Sequence, residues 1–494
     1  MDIRYHSTRG EAKEYRASEA ILKGLADDGG LFVPDQIPVL DKSMRELAAM
    51  DYRQVAYEVM KLFFTDYTEE ELKACIEGAY DEKFDCPEIA PLVKKKDAWY
   101  LELFHGATIA FKDMALSILP HLMVTAAKKN HCEKEIVILT ATSGDTGKAA
   151  LAGFADVPGT RIEVFYPKGG VSPVQELQMV TQKGKNTRVV GIRGNFDDAQ
   201  TGVKNLFSDR ALAAQMDADG FQFSSANSIN IGRLIPQVAY YVYAYTRLLG
   251  SGEIVDGEKI NAAVPTGNFG NILAAYYAKQ MGVPYAKLIC ASNDNKVLYD
   301  FFTTGCYDKN RKFILTTSPS MDILVSSNLE RLIYRIAGED AGVDSSLMKQ
   351  LSENGRYEIT ETMKEKLGDF YGNYATQEET AAKIHQMYQN ESYVIDPHTA
   401  VAACVYDKYR AETGDTAKTV IVSTASPYKF VRSVMPALDP TLTGTDDFAL
   451  IDRLEEMSGV KQPNAVREIR NAKILHDIVV DKDQMKQAVL DFLK

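Results

Sequence analysis

Short apolar, β-branched runs that alternate with helical patterns restrict the fold of this chain more than any other feature of its sequence. Six such runs lie at residues 135–140, 161–166, 187–192, 260–264, 287–291 and 419–423. Their nearly continuous hydrophobicity is typical of parallel strands that helices cover on both faces. The alternation therefore predicts an α/β fold with open, mostly parallel sheets, in which ligands bind beyond the carboxyl ends of the strands.

The regions on either side of these strands differ from them in apolar spacing and charge. Residues 43–63 and 68–80 show the apolar spacing of helices, which predicts a mainly helical N-terminal region. The basic run at 94–96 is interpreted as a solvated linker. Residues after about 444 are charged, and 484–494 has the clearest helical pattern among them. Because 494 residues exceed what one core usually supports, two or three domains are expected.

Bulk properties oppose several classes of function. The net charge of −12 disfavours non-specific binding to nucleic acid. The sequence begins with charged residues rather than a secretory apolar run, and no apolar stretch of about 18 residues could span a bilayer. The six cysteines include no C-x-x-C pair and no histidine at zinc-ligand spacing, so we expect no metal site. Scattered, reduced thiols favour a cytoplasmic location.

Two loops that follow predicted strands are rich in glycine and small polar residues. Residues 141–147 (ATSGDTG) precede a helix predicted from about Lys148, and free N–H groups at such a helix start suit a carboxylate. Their spacing does not fit a phosphate-binding P-loop. Residues 266–271 (TGNFGN) suit a single phosphate group, and no dinucleotide fingerprint is present. Each loop could also be an ordinary strand-to-helix turn.

Two single side chains have more than one interpretation. Thr424 follows the strand at 419–423, where its hydroxyl could meet a ring nitrogen of a ligand or cap the next helix. Lys112 stands beside Phe111 and Ile109, and desolvation there would lower its pKa and make its amine a better nucleophile towards an aldehyde. A surface lysine is the alternative, and spacing alone favours it.

Six further blocks occur in order along nearly the whole chain. They are residues 5–10 (YHSTRG), 24–34 (GLADDGGLFVP), 104–113 (FHGATIAFKD), 318–323 (SPSMDI), 326–331 (SSNLER) and 396–401 (DPHTAV). Together with the loops above, they resemble the long-chain threonine synthases, which are fold type II pyridoxal-phosphate enzymes of the tryptophan-synthase-like group. One departure is Ala107, where the family usually has proline. Proline would pre-set the backbone there, but its loss leaves the amine of Lys112 untouched.

The resemblance implies a cofactor site for pyridoxal 5′-phosphate. Lys112 would hold the cofactor as a Schiff base, Thr424 would face its pyridine nitrogen, and Asp145 would lie near its ring oxygen, where the wider group usually has asparagine. The cofactor phosphate would be cradled by Gly267, Asn268, Phe269, Gly270 and Asn271.

The resemblance also implies a substrate site. Ser143 and Thr146 would hold the substrate carboxylate. The segment 227–233 (NSINIGR) would bind the substrate phosphate through Asn227, Ser228 and Arg233. An arginine fork with amide and hydroxyl donors matches the oxygens of a phosphate group.

Two parallel sheets in separate domains follow from the same resemblance. The large cofactor-binding domain would comprise residues 96–130 and 235–443, and the small α/β domain residues 131–234. A mainly helical N-terminal domain (1–95) and a helical C-terminal tail (444–494) would complete the chain.

The implied activity is the conversion of O-phosphohomoserine and water to L-threonine and phosphate, the last step of threonine biosynthesis. The runner-up is a phospho-lyase or dehydratase on the same fold that gives 2-oxobutyrate. A catalytically silent binding protein is disfavoured by the intact Lys112 and its loops, and a nicotinamide dehydrogenase by the missing dinucleotide fingerprint. The expected partner is a small-molecule substrate, with no nucleic acid or membrane, and the chain would be a monomer or homodimer.

Overall fold

Two sheets, each covered by helices, form the framework of the computed structural model, which describes residues 2–142, 144–444 and 446–494. The larger sheet has six strands in the order Phe370–Tyr374, Tyr285–Ser292, Ile260–Pro265, Thr419–Ser423, Ala98–Glu102 and Leu92–Lys95. The smaller sheet has five, in the order Val479–Asp481, Thr187–Arg193, Thr160–Pro167, Glu135–Ala141 and Phe221–Ser224. Every pair is parallel except the edge pair of the larger sheet. The predicted α/β class is confirmed, and all six predicted runs are strands of these sheets.

Two small antiparallel sheets lie outside this framework. One pairs Tyr5–Ser7 with Phe32–Pro34, and the other pairs Cys306–Asp308 with Arg356–Glu358. The first belongs to the N-terminal region, which is otherwise helical: Ala17–Lys23, Met44–Ala48, Tyr52–Phe63 and Glu69–Ala79. The remaining α-helices are Asp113–Leu116, Leu119–Lys129, Thr146–Phe154, Pro173–Val180, Phe196–Ser208, Arg210–Ala218, Ile231–Gly250, Gly270–Gln280, Val297–Thr304, Leu329–Ile336, Ala341–Asn354, Glu361–Glu365, Gln377–Glu391, Pro397–Thr413, Val431–Leu438, Asp447–Ser458, Asn464–Arg467 and Met485–Leu493. Short 3₁₀ turns occur at Pro319–Met321, Pro427–Phe430, Pro440–Leu442 and Lys482–Gln484.

The segment predicted as helical at 43–63 is broken into two helices. The Asp51 side chain accepts a hydrogen bond from Gln54 N and starts the second one. A similar break separates Asp113–Leu116 from Leu119–Lys129, because Pro120 has no N–H to donate to the carbonyl of Leu116.

The basic run at 94–96 is not the solvated linker that we predicted. Leu92–Lys95 is the edge strand of the larger sheet and pairs antiparallel with Ala98–Glu102. Lys94 forms an ion pair with Glu253 at 2.8 Å. Charged side chains are typical of edge strands, because they discourage pairing with another chain.

The C-terminal tail is less purely helical than expected. Val479–Asp481 joins the smaller sheet beside Thr187–Arg193, and helix Met485–Leu493 packs over the same sheet. The tail therefore completes the smaller sheet and its core. No helix in the described ranges is long and apolar enough to cross a bilayer.

Helix Ile231–Gly250 is the central helix of the molecule. Most of its side chains are buried, and it packs against Met44–Ala48, Tyr52–Phe63 and Gly270–Gln280. An almost wholly apolar surface is expected of a helix enclosed on all sides. This helix carries Arg233 in its first turn.

Candidate active site

Three loops that are distant in sequence meet at the amine of Lys112. Its Nζ lies 3.2 Å from Asp145 Oδ2 and 3.3 Å from Ser320 Oγ, and Ser320 Oγ donates to Asp145 Oδ2 at 2.5 Å. Asp145 follows the strand Glu135–Ala141 of the smaller sheet. The amine is thus at the carboxyl end of that sheet, where ligands bind in parallel α/β folds.

The loop before Lys112 is fixed by a buried carboxylate. Asp113 accepts hydrogen bonds from Thr108 N at 2.8 Å and from Thr108 Oγ1 at 2.6 Å. Ile109 has φ +51°, which a β-branched residue rarely adopts, and its carbonyl accepts from Ser426 N at 3.0 Å. These contacts hold the strained turn, and with it the amine, in one position.

Two ammonium groups flank the Asp145 carboxylate. Lys429, whose side chain is 0% exposed, lies 3.4 Å from Asp145 Oδ1 and donates to Thr108 O at 3.0 Å. Burial alone would raise the pKa of Asp145, but Lys112 and Lys429 hold it well below its usual range. Burial lowers the pKa of the Lys112 amine, and Asp145 opposes this only in part. The site therefore contains a permanent carboxylate beside an amine that loses its proton more readily than usual.

A histidine fixes the position of Ser320. His398 Nδ1 is 2.6 Å from Asp396 Oδ2, and His398 Nε2 accepts a hydrogen bond from Ser320 N at 3.1 Å. Because Nε2 is the acceptor, the proton of the ring is on Nδ1, facing Asp396. Thr399 Oγ1 donates to the other oxygen of Asp396. The hydrogen bonds that run from Asp396 through His398 to Ser320 direct the serine hydroxyl towards Lys112.

The predicted phosphate loop lies next to Ser320. A Cβ on Gly267 would be 2.6 Å from Ser320 O, so only glycine fits there. Phe269 has φ +65° and precedes the helix Gly270–Gln280. The Gly267 and Asn268 carbonyls accept hydrogen bonds from Ser326 Oγ at 2.6 Å and Asn328 Nδ2 at 2.9 Å, which hold the loop in place.

Asn271, at the end of this loop, has a buried donor without a partner. Its Oδ1 accepts from the hydroxyls of Tyr240 at 2.6 Å and Tyr241 at 2.7 Å. Its Nδ2 makes no hydrogen bond within the described residues. A buried N–H group of this kind is expected to meet a ligand.

The three predicted side chains of the substrate-phosphate segment, 227–233, are only partly brought together. Arg233 is 4% exposed, donates to Ala226 O at 2.9 Å, and its buried Nε has no partner in the part of the chain that is described. Burial lowers the pKa of Arg233 to about 10, so it stays charged at neutral pH. Ser228 Oγ is 3.5 Å from Asn328 Nδ2, and Asn328 contacts the phosphate loop through Asn268 O. Asn227 is exposed on the same segment.

The other predicted residues are placed less tightly. Thr146 is the first residue of the helix Thr146–Phe154, and Ser143 lies outside the described residues. Thr424 is buried, and its carbonyl accepts from Phe111 N at 2.8 Å, next to Lys112.

Sequence reasoning missed several groups of this site. They are Gln175, which donates to Asp145 Oδ1 at 3.3 Å, together with Ser320, Asp396, His398 and Lys429. Three of these five stand in blocks that the sequence had already singled out, at 318–323 and 396–401, and Lys429 lies five residues after Thr424. Their presence in those segments was the available signal, but it gave no role to the individual side chains.

Comparison with known proteins agrees with this geometry. Three family models match: "Threonine synthase N terminus" at residues 4–80, "Pyridoxal-phosphate dependent enzyme" at 83–425, and "Threonine synthase, C-terminal" at 399–479. The threonine synthase of Saccharomyces cerevisiae is 35% identical over 465 residues, which cover 88% of this chain and 89% of that protein. The chain belongs to the threonine synthase family. It is also a member of the pyridoxal-phosphate-dependent enzymes, because the second model spans most of its length.

Two further relatives of this family extend the comparison. The human protein "Threonine synthase-like 1" is 41% identical over 438 residues, which cover 85% of this chain but 58% of that longer relative. This chain therefore spans little more than half of that protein. A crystal structure of threonine synthase from Brucella melitensis with bound pyridoxal phosphate has 35% identity, a TM-score of 0.88 and full coverage of both chains.

The side chains present here fit the cofactor of the family. Lys112 offers a desolvated amine, and the phosphate loop offers a helix start, a glycine whose Cβ would not fit, and the free Nδ2 of Asn271. A helix N-terminus with free N–H groups suits a phosphate monoester. Lys112, Gly267 and Asn271 would therefore hold pyridoxal phosphate at its two ends.

Proposed function

We propose that this chain is a threonine synthase that converts O-phosphohomoserine and water to L-threonine and phosphate. The observation that carries the proposal is the meeting of the Lys112 amine with Asp145 and Ser320 beside the phosphate loop. Family membership supports the same activity.

The substrate phosphate is assigned to Arg233, with Asn227 and Ser228 as further donors. Arg233 Nε is a buried donor without a partner among the described residues, and the Arg233 charge reaches Lys112, whose pKa it helps to lower. A planar guanidinium suits the oxygens of a phosphate group. The substrate carboxylate is assigned to Thr146 and Ser143, at the start of the helix Thr146–Phe154.

The cofactor contacts are assigned in the same way. Lys112 would bond the cofactor, Gly267 to Asn271 would cradle its phosphate, Thr424 would face its pyridine nitrogen, and Asp145 would lie near its ring oxygen. Lys429 would offset the charge of Asp145 there, since the two groups are 3.4 Å apart.

When bound, the cofactor supplies an electron sink for negative charge at the substrate Cα. The residues of this chain supply the proton transfers and the orientation. Burial lowers the pKa of the Lys112 amine, which increases its neutral fraction and so suits a general base near Cα. Arg233 would hold the phosphate as it leaves from Cγ, where its fixed charge stabilises the departing anion.

The division into domains and the setting of the protein are part of the proposal. We assign residues 96–130 and 235–443 to the large domain, 131–234 to the small domain, and 1–95 and 444–494 to the flanking regions. The six cysteines are free thiols, which supports a reducing compartment such as the cytoplasm. A monomer or a homodimer is proposed as the assembly.

The test is an assay of cofactor-loaded protein with O-phosphohomoserine, in which threonine, 2-oxobutyrate and phosphate are measured together. We expect equal amounts of threonine and phosphate. Lys112→Ala should lose about 1,000-fold or more in turnover, because it removes the general base. Arg233→Met should lose about 100-fold in kcat/KM, because it removes a buried charge-assisted contact.

Lys129→Met is the matched control, since Lys129 is a lysine of the large domain that pairs with Glu71 away from the site. Its activity should equal that of the wild type. Phosphate accompanied by 2-oxobutyrate would instead make the chain a phospho-lyase on the same fold. Absence of phosphate release would refute the assignment of Arg233, Asn227 and Ser228.

A further inference from the structure

A second cavity, of about 720 Å³, lies apart from the site around Lys112. Its walls come from the helices Glu69–Ala79, Leu119–Lys129 and Thr146–Phe154, and neither Lys112 nor Arg233 lines it. Cavities of roughly 300–1,000 Å³ are the usual size for small-molecule sites. The wall includes Ala107, from the loop that leads to Lys112.

One side chain in this cavity carries a buried charge. Lys148 is 8% exposed, and its Nζ donates to the amide oxygen of Gln182, another residue of the wall. No carboxylate lies within 4 Å of Lys148 Nζ in the described part of the chain. Asp113, which is buried, and Glu468, which is exposed, act on Lys148 from beyond ion-pair distance. The ammonium group is therefore only partly compensated, which is costly for a buried charge.

The rim adds positive charge around this group. Lys128 and Lys183 line the cavity and have no side-chain partner among the described residues, whereas the carboxylates of the wall, Asp156 and Glu468, are both exposed. Lys83 also lines the cavity but is paired with Asp81. In a chain with a net charge of −12, the buried Lys148 and the rim residues Lys128 and Lys183 give this concave surface the positive charge that attracts anions.

Neutral donors complete the lining. Thr125 and His121 also line this space from the helix Leu119–Lys129, and the Thr125 hydroxyl is 3.5 Å from Cys75 Sγ. Burial lowers the pKa of the Lys148 amine to about 8, so the group is mostly protonated at pH 7 and gains from a counter-ion. A hydroxyl, an imidazole and an ammonium group are the donors that phosphate and carboxylate oxygens accept from.

We propose that this cavity binds a small anion with phosphate or carboxylate groups, and that Lys148 is its buried counter-charge. The lining of this cavity includes none of Lys112, Asp145 and Arg233, so it is a different space from the catalytic site. Phosphate and carboxylate groups both present anionic oxygens to Lys148, so two probes are needed to distinguish them.

The test is equilibrium dialysis of the cofactor-loaded full chain against inorganic phosphate and, separately, citrate. Arg233→Met removes the proposed substrate-phosphate contact. The proposed carboxylate site at Thr146 remains, so the second cavity is reported only by the anion binding that Lys148→Met then removes. We expect this variant to retain one site for phosphate, citrate or both. Adding Lys148→Met should weaken that binding at least 10-fold, and Lys148→Arg should preserve it.

Lys129→Met is the control, since Lys129 neighbours Lys128 on the same helix but does not line the cavity. It should bind anions as the parent does. A second measurement needs no variant: saturating phosphate or citrate should slow acetylation of Lys148 in the wild type, as followed by mass spectrometry of its peptide.

The proposal is overturned if Arg233→Met binds neither probe at millimolar concentration, or if Lys148→Met binds as tightly as its parent and Lys148 stays unprotected. Failure of the catalytic assignment looks different. In that case Arg233→Met would leave both the activity and the number of phosphate sites unchanged.

Discussion

At the scale of single residues, two ammonium groups flank the Asp145 carboxylate. Lys429 is the one that would not bond the cofactor, and it is fully enclosed 3.4 Å from the carboxylate. A buried carboxylate without such a partner would tend to take up a proton. The role of Lys429 is therefore to keep Asp145 ionised, as a positioning residue rather than a group that touches the substrate.

This role predicts the pH dependence of Lys429→Met. Loss of the ammonium group should raise the pKa of Asp145, because the remaining burial favours the neutral acid. We expect kcat/KM to fall about 30-fold and to acquire a new acid limb, which Lys429→Arg should lack. The measurement is kcat/KM between pH 5 and 9. Parallel profiles for the wild type and Lys429→Met would contradict the assignment.

The sequence pointed to Lys112, Asp145 and Arg233 but not to Ser320 or Lys429, and the reason is physical. Lys112 and Arg233 stand in blocks that the family resemblance singles out, whereas spacing alone favoured a surface lysine at 112. Ser320 is 208 residues from Lys112, and its contact exists only after both sheets are in place. Local pattern carries no information about such long-range pairs.

At the scale of elements, the phosphate loop packs against the turn around Ser320, so the position of each depends on the other. The Gly267 backbone approaches Ser320 O so closely that a side chain cannot be inserted between them. A displaced Ser320 turn would move the hydroxyl that meets Lys112. One glycine therefore couples the cofactor-phosphate end of the site to its amine end.

Gly267→Ala tests this coupling. A Cβ 2.6 Å from Ser320 O must push two loops apart, so we expect at least a 10-fold loss of cofactor affinity, with little change in overall stability. Gly368→Ala is the control, since Gly368 lies outside the phosphate loop and the nearest atom to its Cβ, Glu365 O, would be 3.6 Å away. Cofactor binding is followed by its absorbance. Equal affinities in the two variants would show that the close approach is unimportant.

Strands were predicted better than helices because the two signals differ in what interrupts them. Each buried strand is a continuous apolar run with turns at both ends, so its bounds are evident. The helix breaks at Asp51 and Pro120 depend on a single cap or a single missing N–H, which an apolar spacing passes over. The edge strand Leu92–Lys95 was not predicted, because its exposed lysines look in sequence like those of a solvated linker.

At the scale of the whole molecule, the C-terminal helix covers a carboxylate that accepts no hydrogen bond from any described residue. Glu163 is 0% exposed, and Arg188 Nε lies 3.6 Å from its Oε1, too far for a hydrogen bond. Arg161 and Arg188 instead donate to carbonyls of the segment Met485–Leu493. Burial raises the pKa of Glu163 to about 8.

The stability of the molecule should therefore depend on pH through Glu163. A carboxyl group whose pKa is raised by folding stabilises the folded protein below the unfolded pKa of about 4.3. This contribution to stability is lost as the pH rises towards 8. Glu163→Gln should be more stable than the wild type at pH 8, by about 3 kcal/mol, and nearly equal to it at pH 4.5. Thermal unfolding at both pH values is the measurement.

Glu135→Gln is the matched control, because Glu135 lies in the same sheet but pairs with Arg161 at 2.9 Å. It should be slightly less stable than the wild type at pH 8. If Glu163→Gln lost stability at pH 8 in the same way, Glu163 would be an ordinary ionised partner of Arg188.

The order of the smaller sheet has a consequence for how the chain is made. Thr187–Arg193 is synthesised early, yet its neighbour Val479–Asp481 follows nearly 300 residues later. At roughly 5–20 residues per second, a ribosome needs tens of seconds or more to cover that interval. During this time the nascent chain carries an unpaired strand edge, a surface that chaperones must shield from neighbouring polypeptides.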